Sequence, residues 1–221
     1  MPTLGVIFDM DGVLVDSYQA HLESWTRLYS ELDVTYSEAE FAADFGRTSR
    51  DILRRRFGED FPLEKIRALD ERKEALFREV LQGDFPTMDG AVQLIDSLVT
   101  DGFSIAVGSS GPPENIALCL EKLSCCEKFA AIVTGADVSC GKPDPQVFQM
   151  AASRMNVSPD SCAVVEDAIH GVEAANRAGM VSIGLTGTVD RTALVSAKLV
   201  VDSLKELSPT LIRDLIVGQR T

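Results

Sequence analysis

Basic residues are scarce in this chain. Lysine and arginine number 21 against 34 aspartates and glutamates, which leaves a formal charge of −13 and a pI near 4.6. A surface this acidic repels a phosphate backbone and argues against DNA or RNA as a partner. A small anion can bind only where a metal or a few local cations reverse the field. Histidine is scarcer still, with two residues. The five cysteines, Cys119, Cys125, Cys126, Cys140 and Cys162, show no CxxC spacing. A zinc site therefore lacks grouped ligands. The odd thiols read instead as reduced, mostly buried residues of a cytoplasmic protein. No apolar run approaches the ~18 residues of a membrane helix. The N-terminus has no basic segment followed by a long apolar stretch, so no signal peptide is expected.

What remains is ordinary for a globular protein. The hydrophobic fraction is 45% and the charged fraction 25%. These values argue against disorder, a collagen-like fibre and a coiled coil. A length of 221 residues suits one large domain or two small ones and is ample for a core.

Leu4-Gly5-Val6-Ile7-Phe8 is a short apolar run of the kind buried in parallel sheets. It stops abruptly at Asp9-Met10-Asp11-Gly12. Phe103 to Val107, Ala130 to Thr134, Ala163 to Val165, Val181 to Leu185 and Lys198 to Val201 are further strand candidates. Helical patterns alternate with them. Ala91 to Thr100 carries apolar residues at helical spacing. Pro112-Pro113 precedes a helix over Glu114 to Leu123. Pro145 to Met155 and Ala168 to Ala178 follow, the last stopped by Gly179 as a C′ residue. Such alternation predicts a doubly wound, Rossmann-like α/β sheet.

Residues 17 to 85 interrupt the alternation. Ser17 to Leu32, Ser37 to Asp44, Ser49 to Phe57 and Leu63 to Leu81 all read as helices, with no strong strand among them. The block reads as an all-helical domain inserted after the first strand, with Gln82 to Pro86 as its returning linker. The expected organisation is thus a core of residues 1–16 and 86–221 and a helical domain of residues 17–85. The chain crosses between the two near Val13 to Ser17 and near Gln82 to Met88, and small or turn-forming residues such as Gly83 are expected to absorb the backbone change of a hinge there.

Four groups fall just after predicted strands, where ligand sites of open α/β sheets gather. They are Asp9 with Asp11, Ser109 with Ser110, Lys142 in Gly141-Lys142-Pro143, and Glu166 with Asp167. Each alone has a plain structural reading: a solvated turn, a helix cap, a surface lysine, a second cap. Their occurrence at successive strand ends points to phosphoryl transfer. Converging carboxylates need a cation, and hard oxygen ligands suit Mg²⁺. One carboxylate can attack phosphorus while a second, two residues on, moves protons. A serine and a lysine can hold the transferring oxygens and neutralise their charge.

On these motifs the chain resembles the haloacid dehalogenase superfamily of aspartate-nucleophile phosphotransferases. They stand as Phe8-Asp9-Met10-Asp11-Gly12-Val13-Leu14-Val15-Asp16-Ser17, Val107-Gly108-Ser109-Ser110, Gly141-Lys142-Pro143-Asp144-Pro145 and Val165-Glu166-Asp167-Ala168. The helical insertion is similar to that superfamily's small cap. The resemblance implies that Asp9 forms an aspartyl-phosphate and ligates Mg²⁺. It implies that Asp11 is the general acid/base, with its backbone carbonyl on the metal. Ser109, Ser110 and Lys142 would bind the phosphoryl group. Asp167 would ligate the metal directly and Glu166 through a metal-bound water.

Within the superfamily the chain is similar to the branch holding beta-phosphoglucomutase and phosphoglycolate phosphatase. His21 falls where the mutase has a cap-hinge histidine, and reads equally as a helix histidine near a domain boundary. Gly46-Arg47-Thr48-Ser49-Arg50 is similar to the cap's specificity loop, with Ser49 where the mutase has arginine and Arg47 and Arg50 on either side. Pro112-Pro113 stand where the mutase has a Lys-Asn pair. Lys73 reads as an exposed helix lysine, with a place near the active site as the alternative; His170 reads as having no role. The implied activity is a Mg²⁺-dependent phosphatase of a small phosphorylated metabolite, a sugar phosphate above all, and the runner-up is a mutase. A third reading is a phospho-accepting signalling module. It has its acidic groups in the wrong chain order and no use for a cap. The sequence leaves the oligomeric state open, with a monomer favoured, and no nucleic-acid or membrane partner is expected.

Overall fold

A computed structural model describes residues 3–44, 48–83 and 85–219. The chain divides into two compact units, one of Met1–Asp16 with Thr87–Thr221 and one of Ser17–Pro86.

The first unit is built on a parallel sheet of β1 (Gly5–Phe8), β2 (Ser104–Gly108), β3 (Ala131–Val133), β4 (Cys162–Glu166), β5 (Val181–Leu185) and β6 (Leu199–Val201). The strand order is β3-β2-β1-β4-β5-β6. Every residue of β1, β4 and β5 is buried. Such strands have no solvent face, which is why they read as unbroken apolar runs. β1 lies between β2 and β4, with Phe8 opposite Val107 on one side and Val165 on the other. The winding reverses between β1 and β4, so the crevice at the carboxyl ends of these two strands is the place where such a sheet binds ligands.

The sheet's helices are α5 (Ala91–Thr100), α6 (Pro113–Lys122), α7 (Gln146–Met155), α8 (Ile169–Arg177) and α9 (Pro209–Gln219). Phe148, Ala151 and Met155 of α7 pack with Ile7, Ala106 and Val164 of the sheet in one core. Helix α9 was not among the expected elements. Its buried face is only Ile212 and Ile216, too thin a stripe to stand out from a sequence window.

The second unit holds α1 (Tyr18–Glu31), α2 (Glu38–Asp44), α3 (Ser49–Phe57) and α4 (Leu63–Gly83). Trp25, Leu28, Tyr29, Phe41, Ile52, Leu53, Ile66 and Leu76 form its core. One expectation is corrected here. Gln82 and Gly83 belong to α4, so the returning linker is shorter than the sequence suggested and Gly83 is a helical residue rather than a free hinge.

The two segments by which the chain leaves and re-enters the sheet unit are joined to each other. Val15 forms an antiparallel bridge with Thr87, and Met88 N donates to Leu14 O at 3.0 Å. None of the five cysteines, all of them among the described residues, forms a disulfide; Cys119, Cys125 and Cys162 are buried and Cys126 and Cys140 exposed. Among the described residues no helix is long and apolar enough to cross a membrane.

Candidate active site

Sheet register brings together residues far apart in sequence. Asp9 is the first residue past β1, and its N–H donates to Val165 O at 3.0 Å, continuing the ladder toward β4. That bond sets Asp9 beside Glu166, the last residue of β4, and Asp167 after it. Carboxylate oxygens of Asp9, Glu166 and Asp167 lie within 4.8 Å of one another, and all three residues are buried. Asp11 follows in a tight loop where the Met10 carbonyl accepts from Leu14 N at 2.9 Å and Val15 N at 3.1 Å.

Lys142 reaches this cluster from the loop between β3 and α7. Its Nζ lies 2.8 Å from Asp9 Oδ1 and 2.5 Å from Glu166 Oε1. It also sits 4.9 Å from the centre of the Phe148 ring, where the ring's negative face attracts a cation. The loop is held by Gln146, whose Oε1 accepts from Ser139 N at 2.9 Å and Cys140 N at 3.1 Å. Glu166 is engaged at both oxygens, since Oε2 accepts from the N–H groups of Asp167 and Ala168 at 2.9 Å each.

On the other side, Ser109 follows β2. Its N–H donates to Val133 O at 3.0 Å and its Oγ accepts from Gly111 N at 3.1 Å. The point that a Cβ on Gly111 would occupy is 3.4 Å from Ser109 Oγ and 3.8 Å from Asp11 Oδ2, so these two groups flank one small space. Ser109 is buried and Ser110 exposed.

The electrostatics follow from the packing. Burial pushes the Asp9 carboxyl up to about 7, with Glu166 and Asp11 adding repulsion and Lys142 opposing it. Burial also raises Asp167 well above the usual carboxylate range, and the Glu166 and Asp9 carboxylates add to the rise. Burial works against the charge on Lys142, but Asp9 and Glu166 outweigh it and hold the ammonium above its ordinary value. One lysine does not balance this many carboxylates. A hard divalent cation with oxygen ligands fits the donor set and would supply the missing charge.

Two glycines are required by close approach. Gly12, at φ +73°, lies against Asp167, whose Oδ2 would overlap a Cβ there. Gly171, in α8, lies against the Glu166 carboxylate in the same way. Gly171→Ala gains up to about 1 kcal/mol of helix propensity. It must also displace a carboxylate tied to Lys142 and two amides, and breaking a buried pair costs about 3–5 kcal/mol. The expected net result is a lower Tm by roughly 2–4 °C per kcal/mol lost, with activity falling alongside. Thermal unfolding and turnover measured on one preparation check it, and an unchanged Tm would contradict the close packing.

The remaining predicted residues lie in the helical unit. Lys73 is buried, not exposed: its residue exposure is 3%. Its Nζ lies 3.0 Å from His21 Nδ1 and 2.8 Å from Glu74 Oε1, and 5.2 Å from the centre of the Phe77 ring. His21 stacks on that same ring, 4.1 Å between centroids. The spacing held the signal, since Lys73 falls on the apolar stripe of Ile66, Leu69, Leu76 and Phe77. Ser49 opens α3 after the cap Thr48. Arg50 is exposed on the first turn of α3, His170 is exposed on α8, and Arg47 lies outside the described residues. Phe148, Gly171, Glu74 and Thr188, whose hydroxyl donates to Asp167, were not anticipated from sequence.

The family model for haloacid dehalogenase-like hydrolases matches residues 3–179. Validoxylamine A 7′-phosphate phosphatase of Streptomyces hygroscopicus subsp. limoneus is 31% identical over 91% of this chain and 94% of its own. A phosphorylated carbohydrates phosphatase of Thermotoga maritima is 30% identical over 79% of this chain and 81% of its own. Among solved structures, a beta-phosphoglucomutase from Clostridium difficile aligns at a TM-score of 0.85 with 25% identity, covering 98% of both chains.

Proposed function

The chain belongs to the haloacid dehalogenase-like hydrolases, enzymes of the phosphatase and phosphotransferase kind, and on that premise we propose that it is a phosphatase of a small sugar phosphate. The observation that carries the proposal is the placement of Asp9, a buried carboxylate at the switch point of the sheet. It has Lys142 Nζ 2.8 Å away and two further carboxylates within 4.8 Å.

In this reading an Asp9 carboxylate oxygen attacks phosphorus and the bond to the sugar oxygen breaks. Asp11 gives that oxygen its proton. The resulting acyl phosphate on Asp9 is then attacked by water, Asp11 takes the water's proton, and phosphate leaves with Asp9 restored. Lys142 neutralises charge on the phosphoryl oxygens, and Ser109 offers a hydrogen bond to them. Asp9, Glu166 and Asp167 would hold Mg²⁺, which supplies counter-charge for the carboxylates and the phosphate. Glu166 spends both oxygens on Lys142 and backbone amides, which suits a role through water better than direct ligation. A cytoplasmic setting belongs to the same reading, since five cysteines outside any disulfide suit a reducing compartment.

The helical unit would act as a cap that selects substrate. Arg50→Ala is then expected to raise KM for the preferred sugar phosphate more than it slows hydrolysis of p-nitrophenyl phosphate, a small ester that tests the core alone. Equal losses on both would remove that role from Arg50.

The second reading, a beta-phosphoglucomutase-type transfer, draws on the likeness to the mutase structure. Against it, Pro112 and Pro113 serve as the cap and first residue of α6 where the mutase has a Lys-Asn pair. One experiment separates the two: phosphate release across a panel of phosphorylated metabolites with Mg²⁺, beside beta-glucose 1-phosphate with a glucose 6-phosphate readout. Phosphate release supports the phosphatase. Glucose 6-phosphate without free phosphate overturns it in favour of the mutase.

A further inference from the structure

Asp167 is held by a contact that none of the four sequence motifs contains. Thr188 stands in the loop after β5, and its Oγ1 donates to Asp167 Oδ2. Gly12, from the loop after β1, closes the same corner: a Cβ on it would overlap Asp167 Oδ2 and lie 2.9 Å from Thr188 Oγ1. Three segments, following β1, β4 and β5, therefore meet on one carboxylate oxygen. Asp167 is 5% exposed, so bulk water is in no position to supply that hydrogen bond.

We propose that Thr188 is a positioning residue for the cation site, fixing the Asp167 carboxylate through its hydroxyl against Gly12 so that the remaining acceptor sites serve a divalent cation. This rests on the reading of Asp9, Glu166 and Asp167 as a Mg²⁺ site. A carboxylate offers about four lone-pair positions, and the hydroxyl takes one. Loss of the hydroxyl leaves a buried oxygen without that donor and frees the carboxylate to turn. Hydrogen bonds that orient a metal ligand are worth about 10–100-fold in metal affinity. A plain structural role makes a different prediction. If Thr188 only tacks the β5 loop down, its loss lowers Tm and leaves cation affinity alone.

Thr188→Val removes the hydroxyl at nearly constant shape, and Thr188→Ser keeps the hydroxyl while removing the methyl. The test titrates MgCl₂ alone into metal-free wild type and both variants, read by calorimetry and by the Mg²⁺-dependent rise in Tm. Thr188→Val is expected to bind Mg²⁺ about 10–100-fold more weakly, and Thr188→Ser close to wild type. Wild-type affinity in Thr188→Val overturns the inference, as do equal losses in both variants, which would assign the effect to packing. Should the metal-free valine variant fail to melt cooperatively, Thr188→Ala is held to the same criterion. Wild type that takes up no Mg²⁺ overturns the cation reading itself, an outcome distinct from a failure of Thr188.

Discussion

Asp9→Asn is expected to lose nearly all turnover while the fold survives. Asparagine keeps the side chain's shape and removes the anionic oxygen that, in the proposed mechanism, would attack phosphorus. Removing one member of a covalent catalytic unit costs on the order of 10⁴–10⁶-fold. The fold has little reason to suffer, because Lys142 keeps its bond to Glu166 at 2.5 Å and a buried carboxylate leaves a crowded corner. Asp11→Asn should behave differently. General acid/base help is worth about 10²–10⁴-fold, so an activated ester can still phosphorylate Asp9 while attack by water slows. Phospho-enzyme should therefore accumulate in Asp11→Asn and not in Asp9→Asn. Turnover within tenfold of wild type in Asp9→Asn, at unchanged Tm, would sink the covalent mechanism.

The same substitution carries a pH signature in the metal-free chain. Asp9 is raised from 3.8 to about 7 in the folded state, first by burial. Between those values the folded state holds a proton that the unfolded state releases. Stability from this group is therefore present at low pH and lost as pH rises toward 7. The Tm of wild type minus that of Asp9→Asn should fall across this window, measured with EDTA present. A difference that rose or stayed flat would show that Asp9 is not held protonated by its surroundings.

Removal of metal should have the second large effect. With Lys142 as the cation among Asp9, Glu166 and Asp167, phosphate would add negative charge to a corner that already repels it. EDTA should abolish activity and Mg²⁺ restore it. Ca²⁺ should bind but support poor turnover, because its looser and higher coordination disturbs an in-line displacement. Binding to the folded state alone also stabilises it, by about 2.7 kcal/mol at a hundredfold excess over Kd, so Mg²⁺ should raise Tm without any substrate. Full activity in Ca²⁺ after chelation, or a Tm indifferent to Mg²⁺, would contradict the site as described.

Much of this molecule is legible before any coordinates. The strands Gly5–Phe8, Cys162–Glu166 and Val181–Leu185 announce themselves because both faces are buried and the runs are apolar without alternation. The helices of the insertion are legible because a 3.6-residue period accumulates over several turns. Asp9, Ser109, Lys142 and Glu166-Asp167 could be singled out because parallel winding carries all strand ends to one edge. These inferences use local periodicity and one topological rule.

What escaped them depends on contacts with no local signature. Lys73 reads as a surface lysine because its charge outweighs its place on the apolar stripe. Only the packed helices bring His21, Glu74 and the Phe77 ring to meet its ammonium. Gly171 is unremarked in a helix until Glu166 is found occupying the space of a Cβ. Thr188 stands just past β5, where the strand-end rule would admit it, yet a threonine in a loop carries no chemistry by itself. Its meaning comes from Asp167, which lies one helix and one strand earlier in the chain and beside it in space. Residue type and spacing determined which groups reach the carboxyl edge of the sheet. Tertiary structure decided which of them touch, because burial makes each unpaired charge costly and leaves only the partners that packing brings within hydrogen-bond distance.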